Sequence, residues 1–374
     1  MVGLLKFVAR VVAFLPAGMV RAWARHWGWL LAHVARIRRG YVLETLARCL
    51  PDVTVAERRR IYVEMWQHQV LNIMELMRFY GGRRAEFAEG LEVYGEEHVQ
   101  AALARGKGAL ILTAHLGNYV LMGILAVQRF GYSLSIISKV LKNRVAEELF
   151  ESLRQAGGVN GIHAQQAYRP AVRALRRQEL VGFMLDQQRP ASQGVFVDFF
   201  GRLASTSPGL AFMSAATGAP VVPVFIRRKA SGGHILEALP LMEPPPDREE
   251  ETIRQHTAVY TKIIEEQVRR TPAQWLWLHK RWKSRPLGEG GGEGSGFRVQ
   301  GSGTAGGREQ RSEVRGQGGA EQPHGRTRTN TDGHGRLEGA ESRGQGGTGT
   351  ASALGERSYR GEPMEAGEVA DGGA

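Results

Sequence analysis

The chain has 374 residues, with 49 Lys and Arg against 37 Asp and Glu, a formal net charge of +12 at pH 7, and a single cysteine, Cys49. One cysteine excludes an intrachain disulfide and a thiolate metal cluster, and it fits a reducing compartment. A strongly basic chain attracts nucleic acid, an anionic membrane or an acidic carrier. No helix-turn-helix, RNA-binding sheet or finger motif accompanies the charge, so we expect no nucleic-acid partner.

Composition divides the chain at about residue 287. Residues 287–374 contain 26 glycines, 10 Arg and 13 Asp or Glu, which leaves 39 Lys or Arg and 24 acids, a net charge of +15, in residues 1–286. A segment with so few apolar side chains cannot offset the entropy cost of ordering its backbone. We therefore predict a Gly-rich disordered tail over 287–374 and a basic folded region over 1–286.

The first 40 residues mix apolar, aromatic and basic side chains. Their apolar runs are interrupted by a proline and four cations, Lys6, Arg10, Pro16, Arg21 and Arg25. A spanning helix needs about 18 or more consecutive apolar residues, and no such stretch is present. The admixture of Trp23, Trp27 and Trp29 is typical of helices that lie in the membrane interface, and the alternative is an amphipathic helix that covers a core. We predict a membrane-associating helical segment over 1–40.

Residues 41–286 alternate between stretches with the apolar spacing of helices and short apolar runs typical of strands. Residues 41–80 have helical spacing, with a break and a start signal at 51–54. The predicted strands are 109–113, 133–138, 180–185, 195–199, 221–226 and 234–238. The predicted further helices are 96–104, 118–129, 143–156, 168–177, 207–217 and 251–270. This alternation predicts an α/β domain over 41–286, with a mostly parallel central sheet flanked by helices.

One histidine stands where a buried strand is predicted to end. His115 follows the apolar run 109–112 and precedes Gly117 and Asn118. A histidine there is a candidate general base, because its ordinary pKa lies near operating pH. Asp186 similarly follows the apolar run 180–185, and ligands of open α/β sheets gather at the carboxyl ends of strands.

Five segments, in order, resemble the bacterial lipid A biosynthesis acyltransferases, a lysophospholipid acyltransferase-like family. They are 106–118 (GKGALILTAHLGN), 186–188 (DQQ), 194–201 (GVFVDFFG), 217–225 (TGAPVVPVF) and 275–283 (WLWLHKRWK). One such motif is weak, whereas five with family-like spacing are specific. The resemblance covers about residues 1–286 and leaves out the tail.

The resemblance implies a glycerolipid acyltransferase-like fold and a defined activity. Such enzymes transfer a fatty acyl chain from acyl carrier protein or coenzyme A to a hydroxyl of a lipid A precursor or related glycolipid. The implied partners are the acceptor lipid, acyl carrier protein and the anionic inner membrane of a bacterium, on its cytoplasmic face. No cofactor is implied, since the acyl thioester is itself a substrate, and no metal site is expected.

The family motif is His, four residues, then Glu or Asp, and it carries over to His115 and Val120. Valine cannot orient an imidazole, which leaves three explanations open. Another carboxylate replaces the acid, with Asp186 ahead of Asp198 and Glu75. Alternatively, Asn118 or a backbone carbonyl orients the ring in a slower enzyme. Or the chain is a catalytically impaired or inactive lipid- or carrier-binding relative. A Val120→Glu variant should gain activity if the site is otherwise intact, and no gain favours a relocated acid.

Developing negative charge and substrate phosphates both require donors. The predicted substrate- and oxyanion-binding groups are the backbone around Gly117 and a set of cations, Lys139, Lys142, Arg144, Arg154 and Arg189. Trp275, Trp277 and Trp282 alternate with basic residues, and either a lipid-headgroup patch or core packing explains them.

Overall fold

The computed structural model of the chain describes residues 2–139 and 144–286. The helices are α1 (Val2–Phe14), α2 (Ala17–His33), α3 (Arg39–Cys49), α4 (Val55–Tyr80), α5 (Arg84–Glu89), α6 (Glu96–Leu103), α7 (Tyr119–Phe130), α8 (Arg144–Ala156), α9 (Tyr168–Arg176), α10 (Gly209–Thr217) and α11 (Glu250–Arg270). The strands are β1 (Leu91–Tyr94), β2 (Ala109–Thr113), β3 (Leu134–Ser138), β4 (Val159–His163), β5 (Leu180–Met184), β6 (Val195–Asp198), β7 (Leu203–Thr206), β8 (Val221–Arg228) and β9 (His234–Ala238). The tail predicted over 287–374 lies outside the described residues.

Seven strands form one sheet in the order β1-β9-β8-β2-β5-β3-β4. Neighbouring strands are parallel except for the β8–β9 pair, while β6 and β7 form a separate antiparallel pair. The prediction of an α/β fold with a mostly parallel central sheet is therefore confirmed. Strand β2 lies at the middle of the sheet, between β8 and β5.

Helices cover both faces of the sheet. Leu110 and Leu112 of β2 contribute to a core shared with α3, α4, α10 and α11, whereas Ala109 and Ile111 contribute to a second core shared with α6 and α7. Every residue of β2 is buried, which is the usual state of a central parallel strand. Its apolar run was visible in the sequence for this reason.

Sequence periodicity missed four elements, namely β1, β4, β7 and α5. Strands β1 and β4 are the two edges of the large sheet. In β4 only Val159 and Ile162 are buried, and β1 alternates between half-buried and exposed side chains. Edge strands need fewer apolar residues, so their sequences lack the continuous run that marks a buried strand.

The N-terminal helices pack on α4 through small residues. Ala24, Gly28 and Ala32 lie on the buried face of α2, and a Cβ added to Gly28 would come within 2.5 Å of the Gln67 backbone. Trp23 and Trp27 flank this face and are 48% and 53% exposed. Small residues thus bring two helices together while the large aromatic side chains face outward.

The described part of the chain contains no single helix that is both long and apolar enough to cross a bilayer. The segments Phe7–Phe14 and Ala17–His33 meet those length and composition criteria only as a pair, bent by 114°.

Candidate active site

His115 and Asp186 lie opposite each other at the carboxyl ends of two adjacent parallel strands. Thr113, the last residue of β2, is in register with Met184, the last residue of β5. His115 and Asp186 each follow two residues later. The His115 Nδ1 atom is 2.9 Å from the Asp186 Oδ1 atom. The structure therefore brings together the two residues that the sequence singled out at strand ends.

Asp186 is nearly fully buried and accepts three hydrogen bonds. Its Oδ2 atom accepts from the His115 backbone N–H at 3.0 Å and from the Trp275 Nε1 at 2.8 Å, in addition to the bond with the imidazole. Burial alone would raise the pKa of this carboxyl, but the imidazole and the other donors outweigh it and lower the pKa to about 2. Asp186 is therefore ionised at neutral pH.

The protonation of the His115 ring follows from its partner. A carboxylate can only accept, so Nδ1 carries the proton and Nε2 keeps a free lone pair in the neutral ring. Burial lowers the pKa of His115, whereas the charge and the hydrogen bond of Asp186 raise it, and the net pKa is raised above its ordinary value. The ring is thus oriented, with a basic nitrogen facing away from Asp186.

The side chain of Gln187 packs on the His115 ring. The Gln187 Nε2 atom lies 3.1 Å from the His115 Nε2 atom and 3.5 Å from the His115 Nδ1 atom. The amide therefore lies over the face of the imidazole and leaves the in-plane lone pair of Nε2 open to the cavity. The sequence contained this residue in the 186–188 segment, but no reasoning from residue types assigned it a role.

His115 and Gln187 open onto a cavity of about 1270 Å³. The described residues that line it include the apolar side chains of Val120, Ile124, Ile136, Ile137 and Phe183. They also include one acid, Glu147, and a larger set of cations, Lys139, Arg154, Arg169, Arg173, Arg189 and Arg248. A cavity with both apolar side chains and cations suits an amphiphile that carries negative charge.

The predicted cations have different surroundings. Lys139 is exposed at the cavity, and Arg189 has its Nε atom buried without a hydrogen-bond partner. Arg154 is held by Glu147 and Glu151, so its charge is already compensated. Lys142 lies outside the described residues, and Arg144 begins α8 with a side chain that is not described. The sequence reasoning missed Arg169, Arg173 and Arg248, because they come from elements without a motif.

Asn118 does not orient the imidazole through any hydrogen bond among the described residues. Its Oδ1 atom accepts from the Leu121 N–H at 3.3 Å and caps α7. Its Nδ2 atom donates to the Asn72 carbonyl at 3.2 Å and to Glu75 Oε2 at 2.9 Å. The structure therefore places Asn118 and Glu75 together beneath the His115 loop. Asp198 is also elsewhere, accepting from the Gly201 N–H in the β6–β7 turn.

Glu75 is part of a buried ionic network. Arg228 donates from Nε to Glu75 Oε1 at 2.9 Å and from Nη2 to Oε2 at 2.6 Å. The same guanidinium donates to Asn72 Oδ1 at 2.7 Å and to His68 Nδ1 at 2.6 Å. Burial opposes charge on Glu75, but Arg228 and His234 hold the pKa of this carboxyl well below its ordinary value. Burial and Arg228 together lower the pKa of His68 to about 4, so His68 is neutral.

This network is hydrogen-bonded to the loop that carries His115. Asn72 Nδ2 donates to the Gly117 carbonyl at 2.9 Å, and the Gly117 N–H donates to the Gln274 carbonyl at 3.0 Å. The Gly117 amide is therefore engaged, which contradicts its predicted availability as an oxyanion donor. Gly117 has φ +59°, and a Cβ there would lie 2.3 Å from the Ile226 carbonyl. Only glycine fits this position.

Of the two explanations for the tryptophans, core packing is the correct one. Trp275 and Trp277 are each 1% exposed, and Trp282 is buried as well. The headgroup-patch hypothesis is wrong because these rings pack against one another and against Phe199 and Phe200. The contact from Trp275 to Asp186 had no signal in the sequence, since the two residues are 89 positions apart.

Val120, which stands where the family motif has an acid, lines the same cavity as the His115 ring. Because Asp186 already holds Nδ1, we now expect Val120→Glu to bring no gain and to lower kcat by about tenfold, since a second carboxylate disfavours developing negative charge. Steady-state transfer rates of the variant and of Val120→Gln, which has the same size without charge, provide the measurement. A gain in the Glu variant alone would contradict the assignment of Asp186.

A sequence model of the family "Bacterial lipid A biosynthesis acyltransferase" matches residues 2–284. The chain is 28% identical over 268 residues to the lipid A biosynthesis lauroyltransferase of Escherichia coli (strain K12), covering 70% of this chain and 84% of that protein. It is 25% identical over 272 residues to a phosphatidylinositol mannoside acyltransferase of Mycobacterium tuberculosis, covering 70% and 79%. A solved structure, the 1-acyl-sn-glycerophosphate acyltransferase of Thermotoga maritima, aligns with a TM-score of 0.32 and 16% identity over 66% of this chain and 97% of that one. On the match over residues 2–284, the chain belongs to the bacterial lipid A biosynthesis acyltransferase family.

Proposed function

We propose that the protein transfers a fatty acyl group from a thioester of acyl carrier protein or coenzyme A to a hydroxyl of a lipid A precursor or related glycolipid. The observation that carries the proposal is the His115–Asp186 pair, with its basic nitrogen directed to a cavity of mixed apolar and cationic character. Relatives whose names specify acyl transfer to lipid A or to phosphatidylinositol mannosides support the acceptor class.

The proposed reaction is a general-base-catalysed acyl transfer. The hydroxyl of the acceptor gives its proton to His115 Nε2 as its oxygen forms a bond to the thioester carbonyl carbon. Asp186 keeps Nδ1–H oriented and stabilises the imidazolium without accepting the proton. The tetrahedral intermediate then collapses, the carbon–sulfur bond breaks, and the leaving thiolate takes the proton from Nε2. The products are an ester and a free thiol, and the ring returns to its neutral form.

The apolar side chains and the cations of the cavity have separate roles in this proposal. The apolar side chains, which include Ile124, Ile136 and Phe183, accommodate the acyl chain through the burial of apolar surface. Lys139 and Arg189 bind phosphate oxygens of the acceptor or of the pantetheine arm. Lys142 and Arg144 remain predictions for the same role. The reaction requires no cofactor, because the thioester itself supplies the activated acyl group.

The position of Asp186 supports one of the three explanations for Val120. A carboxylate lies within hydrogen-bond distance of the His115 ring, as a relocated acid requires. A non-catalytic lipid- or carrier-binding protein has no need for an ionised, triply hydrogen-bonded carboxylate behind an imidazole. We therefore propose an active enzyme, and the inactive relative is the competing outcome of the assay that follows.

The test is acyl transfer by the purified full chain to a phosphorylated glycolipid acceptor, with acyl carrier protein and coenzyme A thioesters in parallel. We expect ester formation with at least one donor and its loss in His115→Ala. Equal product with wild type and His115→Ala would remove the imidazole from the reaction. Binding of the lipid without turnover by either protein would instead identify the non-catalytic relative.

We also propose that the N-terminal helices bind the surface of the inner membrane on its cytoplasmic side. Outward-facing aromatic side chains on α2 are accompanied by the exposed cations Arg10, Arg21 and Arg25. Aromatic side chains favour the headgroup level, and each cation near an anionic surface adds about 1 kcal/mol. Two aromatic side chains of α1, Phe7 and Phe14, are exposed as well.

A double variant, Trp23→Ser with Trp27→Ser, is expected to reduce binding to phosphatidylglycerol vesicles by at least about tenfold, because two large apolar groups no longer leave water. Vesicle co-sedimentation of the full chain measures this. Val259→Ser on α11 is the matched control, since Val259 is 48% exposed on another helix. Equal loss in both variants, or in neither, would contradict membrane binding through α2.

A further inference from the structure

We propose that three exposed arginines of α9, Arg169, Arg173 and Arg176, form the docking surface for the acyl carrier protein that delivers the thioester. Together these side chains are the α9 arginine face. The inference rests on the function proposed above and deepens it, because it names the partner that supplies the acyl group and the surface that binds it. The partner has to be acidic, since the surface that receives it is cationic.

Helix α9 has an apolar side and a cationic side. Its sequence, YRPAVRALR, contains three arginines and no acid. Ala171, Ala174 and Leu175 are buried, whereas the three arginines are exposed. Spacings of four and three residues place the arginines on one side of the helix, away from the buried residues. The helix is therefore attached to the core by one side and presents cations on the other.

The charge of the α9 arginine face is not balanced within the described part of the chain. None of its three side chains forms an ion pair or a side-chain hydrogen bond with another described residue. The neighbouring Arg177, by contrast, is paired with Glu179. Like charges at spacings of three and four residues repel one another along a helix, so a partner that supplies carboxylates stabilises this face.

The α9 arginine face begins at the cavity that contains His115. Arg169 and Arg173 line this cavity, whereas Arg176, further along the helix, is not among the described residues that line it. A thioester on a carrier protein enters the cavity through its opening, while the folded carrier is too large for a cavity of about 1270 Å³ and stays outside. A cationic surface that continues outward from the cavity is placed to hold such a carrier within reach of His115.

The other exposed side chains of α9 favour a protein partner over a lipid surface. The one large apolar side chain that α9 exposes is Tyr168, which is 44% exposed and also lines the cavity. A membrane-binding helix face combines cations with several large apolar groups, as the exposed side of α2 does with Trp23 and Trp27. Tyrosine and arginine are enriched at protein–protein interfaces, and arginine pairs with carboxylates through two parallel hydrogen bonds.

The experiment measures acyl transfer by the full chain and by Arg176→Glu, with the same acyl group on acyl carrier protein and on coenzyme A. For the carrier donor, KM should rise by at least about tenfold with kcat unchanged, because an acidic partner meets a repelling charge where it docks. For the coenzyme A donor, kcat/KM should stay within about twofold of wild type, because solvent screens an exposed charge outside the cavity.

Binding of the unacylated carrier protein, measured by fluorescence titration, gives the docking affinity without turnover. Added salt should weaken this binding more in the wild type than in Arg176→Glu, because the variant has lost an attractive charge. If the Glu variant does not fold, Arg176→Gln decides, since it removes the charge without placing an acid at the carboxyl end of α9. It should raise KM for the carrier thioester by at least about threefold.

Arg59→Glu is the matched control, since Arg59 is an exposed arginine on another helix, α4, and is not among the described residues that line the cavity. It should behave as wild type with both donors. Equal carrier affinity in wild type, Arg176→Glu and Arg59→Glu would overturn the proposal. So would an equal loss with both donors in a folded variant, which would assign Arg176 to a step that the two thioesters share.

Two further outcomes separate the alternatives. Weaker binding of Arg176→Glu to phosphatidylglycerol vesicles, with unchanged carrier affinity, would overturn carrier docking and make α9 a membrane-binding surface. Absence of His115-dependent transfer with either donor, while the carrier still binds through the α9 arginine face, would overturn the proposed function and support the docking surface. The two failures are therefore distinct.

Discussion

Replacement of Asp186 by Asn is expected to lower kcat by about 10⁴, because an amide in place of the carboxylate no longer enforces the reactive tautomer or stabilises the imidazolium. The buried Asn would still accept from the Trp275 N–H, so the fold around it is preserved. The loss should approach that of His115→Ala, since the two residues act as a unit. Steady-state kinetics with the better acyl donor measure this.

The same variant should shift the pH dependence. The base is active when neutral, so activity is lost as the pH falls through the pKa of His115. In the wild type Asp186 raises that pKa against the effect of burial, and in Asp186→Asn only burial remains, which lowers it. The acidic limb of kcat/KM is therefore expected to move to lower pH.

Asp198→Asn is the control for this prediction, since the exposed Asp198 side chain accepts from the Gly201 N–H in the β6–β7 turn. It should retain the wild-type rate and pH profile. An Asp186→Asn enzyme with the wild-type kcat would show that the carboxylate has no part in the reaction, and the role of the acid would have to lie elsewhere.

Arg228→Met is expected to lower the free energy of unfolding by about 3–5 kcal/mol, because it leaves the Glu75 carboxylate buried without its counter-charge. The side chains of the pair are only 6% and 11% exposed, so solvent screening is small. Urea unfolding of the full chain, followed by tryptophan fluorescence, gives the difference from the transition midpoint and slope.

The double variant Glu75→Gln with Arg228→Met should recover much of this loss, because it removes both buried charges. Arg254→Met is the matched control, since its partner Glu251 lies on the same exposed helix surface, where solvent screens the pair and leaves it little effect on stability. Equal destabilisation in Arg228→Met and Arg254→Met would mean that the buried network under the His115 loop does not hold the fold.

Much of the fold was predictable because buried parallel strands require continuous apolar runs. Strands β2, β5 and β8 lie side by side at the centre of the sheet, and all three were recognised to within two residues at either end. The edge strands β1 and β4 were not, since a half-exposed strand can be built from polar residues such as Asn160 and His163.

From the sequence, the site could be predicted only as far as the two strand ends that carry His115 and Asp186. His115 and Asp186 each follow an apolar run, and that position marks where parallel strands present side chains to ligands. Choosing Asp186 over Glu75 and Asn118 required the strand order and the register, because 71 residues separate the two partners. The same holds for Gln187, because its contact with the His115 ring is visible only in the tertiary structure.

The sequence by itself determined the α/β architecture, the histidine at the end of a central strand and the family to which the chain belongs, because hydrophobic periodicity and local motifs are written along the chain. Tertiary structure alone decided which carboxylate is hydrogen-bonded to His115. It also decided that Asn118 and Glu75 belong to the network that supports the His115 loop, and that the Gly117 N–H is already hydrogen-bonded. These are contacts between segments distant in sequence, and their geometry is set by the pairing of β2 with β5 and by the packing of α4 and residues 272–277 around the loop.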